Sequence, residues 1–225
     1  AIAKPGQFVM VRCGEGYELL LRRPFSIHRT SSSNELALIF QVVGRGTRLL
    51  SQRREGNMID IMGPLGNGFL IYPTSRKLLL VAGGIGIAPL VFLAENALAA
   101  EQSVTLLLGA ATASQLYPRE LLSPNIKLIV VTEDGSAGRK GLVTDLLPEL
   151  ADWADQIFAC GPVSMYHTMA AQNRQKFKGK SVQISLESRM GCGLGVCYSC
   201  TLRTREGLKQ VCKDGPIFEL KEIIW

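Results

Sequence analysis

The chain has 225 residues, of which 47% are apolar and 20% charged, and its formal net charge is +6. That size gives one large or two small domains with an ordinary core. The longest apolar run, "LLLVAGGIGIAPLVFLA", is broken by glycines and a proline, which excludes one continuous membrane-spanning helix; the scattered basic residues lack the interleaved aromatics of a nucleic-acid surface.

From the start, "GQFVMVRC", "LLRRPFSIH", "ELALIFQVV" and "NMIDIMGPLG" are short apolar or alternating runs, separated by turn clusters such as "SSSN" and "REGN". This spacing predicts a β-barrel or sandwich over residues 1–74. Few strands precede Arg22, and Ala1 is not an initiator methionine, so a first barrel strand is expected upstream. The opening "AIAKPGQFVMV" lacks a basic start followed by an apolar stretch, so no secretory leader is expected. Arg45, Arg48, Arg53 and Arg54 form a local basic cluster, read either as a solvated face or as an anion site for cofactor phosphates.

The character changes near residue 75. "RKLLLVA", "SVTLLLGAA", "NIKLIVVTED" and "QIFACG" are continuous apolar strands, and helical segments such as "PLVFLAENALAAE", "LVTDLLPEL" and "PVSMYHTMAAQNRQKF" alternate with them. Alternation of this kind predicts a parallel sheet covered on both faces, an α/β nucleotide-binding domain over residues 75–178. Gly83, Gly84 and Gly86 fall between the first of these strands and a helix beginning at Pro89. A ligand pyrophosphate can approach such a turn closely, and the helix start offers unpaired N–H groups. The pattern G-x-G-x-A-P is not the full dinucleotide fingerprint, and "GAATAS" offers no acidic residue for a ribose, so a tight turn without ligand stays open.

Residues 179–225 carry the densest signal, Cys192-x4-Cys197-x2-Cys200-x11-Cys212. Six cysteines without a leader point to a reducing, cytoplasmic compartment, where clustered cysteines are more often metal ligands than disulfides. The first three match the plant-type C-x4-C-x2-C spacing of a [2Fe–2S] site with a distant fourth ligand. Gly191, Gly193 and Gly195 would let the chain wrap and turn backbone N–H groups toward the sulfurs. A structural zinc site and disulfides are the competing readings, although zinc sites more often show two C-x2-C knuckles.

"RRPFSI", "GRGT", "GGIGIAP" and "FACGP" occur in that order, and together they resemble the ferredoxin–NAD(P)+ reductase superfamily. With the cysteine module the chain is similar, more narrowly, to the electron-transfer subunits of two-subunit, B-type dihydroorotate dehydrogenases. The resemblance implies an FAD-binding β-barrel, an NAD-binding α/β domain and a small C-terminal [2Fe–2S] module. It places Arg23, Pro24, Phe25 and Ser26 at the flavin and its phosphates. The strand residues Phe40, Gln41 and Val42 would line the isoalloxazine, with Gly46 and Thr47 closing on the phosphates. Gly83, Gly84, Gly86, Ala88 and Pro89, with Cys160, Gly161 and Pro162, would form the nicotinamide site. Cys192, Cys197, Cys200 and Cys212 would hold the cluster. Outside these sets, Glu133 and Asp134 read as a solvated turn or a cofactor contact, His28 as structural, and Cys13 as a core or surface residue.

The implied chemistry is hydride exchange between nicotinamide and flavin, followed by single-electron exchange between flavin and cluster. The implied partner is an FMN-containing catalytic subunit that oxidises dihydroorotate to orotate in pyrimidine synthesis, in a heterotetramer with two of each chain. A related reductase subunit, such as the small subunit of NADH-dependent ferredoxin:NADP+ oxidoreductase or a hydrogenase-associated flavoprotein, stays open. So do a stand-alone oxygenase reductase and a zinc-stabilised binding module. In the ferredoxin:NADP+ subunits an Asp tends to replace the first cluster cysteine, so Cys192 argues against that alternative. NAD rather than NADP rests on the resemblance, since a lone Arg119 is weak evidence for a 2′-phosphate site.

Overall fold

The computed structural model describes residues 3–14, 19–31, 35–177 and 179–225. The "SSSN" turn occupies 31–34, of which 32–34 lie outside the described residues.

The first unit is a four-stranded antiparallel sheet in the order β3-β2-β1-β4. Its strands are β1 (Phe8–Val11), β2 (Arg23–Thr30), β3 (Leu36–Leu38) and β4 (Ile61–Leu65), with helix α1 (Arg45–Ser51) between the last two. The β1/β2 pairing sets Phe8 opposite Ser26 and Val9 opposite Phe25. Val9, Val11, Phe25 and Ile27 thereby fill one small core, which Phe92 from the neighbouring unit completes. The run "ELALIFQVV" is strand only as far as Leu38. Beyond it Phe40 turns edge-on to Phe25, with ring centroids 5.5 Å apart. The Thr47 hydroxyl oxygen then accepts the N–H groups of Val43 and Gly44 at 3.0 and 3.1 Å. Those amides serve the start of α1, so no strand partner can use them.

The second unit begins with β5 (Lys77–Gly83), a 3-10 turn over Gly84–Gly86, and α2 (Ile87–Ala99). It continues through β6 (Ser103–Ala110), β7 (Lys127–Thr132), β8 (Arg139–Lys140), α3 (Val143–Ala151), β9 (Gln156–Cys160) and α4 (Val163–Lys176). The C-terminal stretch adds β10 (Val182–Ser185), β11 (Thr201–Thr204), β12 (Gly207–Gln210), α5 (Val211–Asp214) and β13 (Ile217–Glu219). Seven strands form one sheet in the order β13-β10-β9-β5-β6-β7-β8, parallel except for β13. Strands β10 and β13 therefore extend this sheet past residue 178, while β11 and β12 stand apart as a hairpin.

Leu78, Leu80 and Ala82 of β5 point to the face covered by α2. Leu79 and Val81 point to the face shared with α3, α4 and the C-terminal segment. Burial on both faces is why these strands are continuously apolar. Helix α2 is wedged between the two units, since Phe92 packs into the first core and Leu90, Val91 and Leu93 into the second. His28 locks the same junction. Its Nδ1–H donates to the Ala88 carbonyl at 2.9 Å, and its Nε2 lies 3.2 Å from the Tyr117 hydroxyl. Burial lowers its pKa, so the ring is held neutral and structural. Cys13 is buried in the first core. No helix among the described residues is long and apolar enough to cross a membrane.

Candidate functional site

Two clefts open where the units meet. The larger, about 880 Å³, is lined from the first unit by Arg23, Pro24, Phe25, Ser26, Phe40, Gln41, Arg45, Gly46 and Thr47 among others. Ala88 and Pro89, from the first turn of α2, and Ser185 through Met190, after β10, close its other walls. The smaller, about 450 Å³, lies over the carboxyl ends of the parallel strands. It is lined by Gly83, Gly84, Gly86, Gly109, Gly161, Pro162 and the start of α3. Gln41, Ile85 and Glu187 line both clefts, which makes them neighbours at one edge.

Most of the flavin-motif residues are thus brought together in one cavity. Val42 is not: it is half exposed, and its neighbours Gln41 and Val43 face the cleft instead. Ala88 and Pro89 also lie apart from the other glycine-turn residues, because the first turn of α2 passes between the cavities and shows them to the larger one. Cys160 lines neither cleft. It is 1% exposed, and burial pushes its thiol up to about 12, so it is a neutral core group behind the wall.

The glycine turn is tight for a specific reason. A Cβ on Gly86 would stand 2.1 Å from the Cys160 carbonyl oxygen, so only glycine lets α2 seat against the end of β9. Glu133 and Gln115, which the sequence pattern left outside the site, line the smaller cleft. Glu133 follows β7, on the opposite side of β5 from Glu187, so the cleft spans several strand ends between them. Among the described residues no lysine or arginine lines it. The Arg119 guanidinium is engaged with the Ser123 and Ile126 carbonyls.

At the cysteine loop, Leu194 and Val196 donate their N–H groups to Cys192 Sγ at 3.3 and 3.4 Å. Gly195, held at φ +80°, donates to Cys212 Sγ at 3.1 Å, and the Cys212 N–H donates to Cys200 Sγ at 3.4 Å. Gly191 instead donates to the Ser199 hydroxyl. These bonds, chiefly from Leu194, bring the Cys192 thiol down to about 6, and Ser199 lowers Cys197. Burial pushes Cys212 up to about 12. Cys192 interacts with Cys197, and Cys212 with both Cys200 and, by charge, Cys192, so the four thiols are neighbours. Four neighbouring cysteine sulfurs with backbone N–H groups aimed at Cys192, Cys200 and Cys212 fit the ligand count and the negative charge of a [2Fe–2S] unit.

A two-layer junction with a parallel-sheet cleft, an adjoining second cleft and a four-cysteine loop defines a ferredoxin-reductase-type oxidoreductase with an iron–sulfur module. Residues 187–224 match the iron–sulfur cluster binding domain of dihydroorotate dehydrogenase B, and residues 80–171 match the oxidoreductase NAD-binding domain. A Desulforamulus reducens protein named dihydroorotate dehydrogenase B (NAD(+)), electron transfer subunit, is 40% identical over all of this chain and 88% of its own length. A Geobacillus protein of the same name is 41% identical over 98% of this chain and 86% of its own. A solved NADH-dependent reduced ferredoxin-NADP oxidoreductase chain superposes with a TM-score of 0.87 and 35% identity, covering 99% of this chain and 80% of that one. The chain belongs to the family of dihydroorotate dehydrogenase B (NAD+) electron transfer subunits. It is an oxidoreductase subunit whose cofactors are FAD, a [2Fe–2S] cluster and NAD.

Proposed function

We propose that the larger cleft holds FAD, the smaller holds NAD, and the loop of Cys192, Cys197, Cys200 and Cys212 holds the [2Fe–2S] cluster. The observation carrying this reading is that the two clefts meet along Gln41, Ile85 and Glu187, so a flavin in one and a nicotinamide in the other would be neighbours. When bound, nicotinamide supplies hydride, the cluster supplies single electrons, and the flavin converts one into the other.

The chain's own residues bind, orient and exclude water. Arg23 and Arg45 bring positive charge to the FAD phosphates, while Pro24, Phe25 and Phe40 give the ring an apolar wall. Gln41 and Ser26 offer polar contacts. Gly46 and Thr47 form the floor, Ala88 and Pro89 the side facing the α/β unit. Gly83, Gly84, Gly86, Gly161 and Pro162 leave backbone exposed for the dinucleotide. In the cluster loop the N–H donors stabilise thiolates. Burial raises the Cys212 thiol, so holding a cluster would require Cys212 to give up its proton.

On this reading residues 1–74 are the FAD unit, 75–178 the NAD unit and 179–225 the cluster module, the last contributing two strands to the NAD sheet. The partner is an FMN-containing catalytic subunit that oxidises dihydroorotate to orotate, assembled with two copies of each chain in the cytoplasm. Mixing the holo chain with such a subunit tests this. The expected result is a complex with the mass of a two-plus-two assembly that reduces NAD+ with dihydroorotate. No complex and no NAD+ reduction, with ferredoxin accepted instead, would favour the ferredoxin:NADP+ type of subunit.

A further inference from the structure

One buried phenol ties the two clefts together. Tyr166, in the first turns of α4, is 1% exposed. Its hydroxyl accepts the Gly161 N–H at 2.9 Å and donates to the Ser185 carbonyl oxygen at 2.6 Å. Gly161 follows β9 and lines the smaller cleft; Ser185 ends β10 and lines the larger. Gly161 is also the seat of the glycine turn. A Cβ there would lie 3.1 Å from Gly83 Cα, and a Cβ on Gly86 would lie 2.8 Å from the Gly161 nitrogen. Whatever fixes Gly161 therefore fixes the turn that carries the dinucleotide.

We infer that Tyr166 is a positioning residue for hydride transfer: its hydroxyl sets the glycine turn of the nicotinamide cleft against the wall of the flavin cleft. This rests on reading the two clefts as the NAD and FAD sites. The phenol suits a fixed brace. Burial holds it neutral, so it keeps its proton for Ser185 at working pH, and its ring packs on Trp225 with centroids 5.8 Å apart. Removing the oxygen alone leaves that packing in place. Hydride transfer is the step that should feel the loss, because reactive geometry is sensitive to displacements on the order of 1 Å.

The test is anaerobic stopped-flow reduction of holo wild type and Tyr166→Phe by NADH. The brace predicts a fall of about tenfold or more in the saturating rate of flavin reduction, in line with the cost of small misplacements. It also predicts a KM for NADH within about threefold, a weaker nicotinamide–flavin charge-transfer absorbance, and unchanged flavin content and dithionite reduction. A saturating rate within about twofold of wild type overturns it, as does a loss that merely tracks lost flavin. If the variant does not fold, amide exchange at Gly161 in the wild type decides. Strong protection without NAD supports the brace, and exchange at the rate of a free peptide overturns it. Wild-type flavin that NADH does not reduce at all would defeat the cleft assignment itself, a result distinct from a fast variant.

Discussion

The glycine turn before α2 and the cysteine loop are both rich in glycine, yet Gly86 and Gly195 are required for different reasons. At the turn, Gly86 is required by a close approach: backbone of β9 occupies the space a side chain would need. At the loop, Gly195 is required by its backbone angle, φ +80°, which turns its N–H onto Cys212 Sγ. The nearest obstacle to a Cβ on Gly195 is the flexible end of Lys213 rather than backbone. The turn is built into the core, whereas the loop exposes Leu194, Val196 and Tyr198 and is organised by hydrogen bonds to sulfur. On the proposed reading, a fixed dinucleotide platform and a wrap around a cluster use one residue type for two purposes.

The sharpest way to break this contrast is Gly86→Ala. Its methyl must displace backbone, so the expected loss is about 3 kcal/mol, or roughly 6–12 °C in Tm, together with NADH-dependent flavin reduction. Calorimetry and stopped-flow reduction would show it, and a variant with wild-type Tm would mean that the turn is not packing-limited. Gly195→Ala should be milder, about 1–2 kcal/mol for a side chain in left-handed backbone. Its damage should be local: iron is lost faster to a chelator while flavin reduction by NADH persists. If both functions failed together, the two regions would not be independent.

Smallest is a charge effect within the turn's own cleft. Glu133 sits at its β7 side with no lysine or arginine among the lining residues, an environment hostile to a 2′-phosphate. Glu133→Arg should shift the NADPH-to-NADH ratio of kcat/KM by roughly tenfold toward NADPH, about 1.4 kcal/mol, without changing Tm by more than a degree or two. An unchanged ratio would place the ribose elsewhere.

The sheet was legible in the sequence because it rests on local chemistry: continuous apolar runs reported strands buried on both faces, and the cysteine spacing pointed to the iron–sulfur domain that residues 187–224 match. What spacing alone does not carry is the meeting of distant segments. Glu187 and Met190 reach the larger cleft only because β10 pairs with β9 in the parallel sheet. Val42 reads like Phe40 in a β pattern, but the strand stops at Leu38 and the chain past Val42 is tied to α1 through the Val43 and Gly44 amides on Thr47. Cys160 looks like a site residue because its neighbours are, yet side-chain direction buries it. Gly86 reads as a phosphate-loop glycine, and its strongest constraint is the strand behind it.

The proposed electron route runs from nicotinamide through flavin to the cysteine-bound cluster. Anaerobic titration of the holo chain with NADH, followed by visible absorbance and low-temperature EPR alongside iron and zinc counts, tests it most directly. The account predicts flavin bleaching together with the signal of a reduced [2Fe–2S] cluster and about two irons per chain. A colourless protein holding zinc, or bleached flavin beside a cluster that stays oxidised at full reduction, would contradict it.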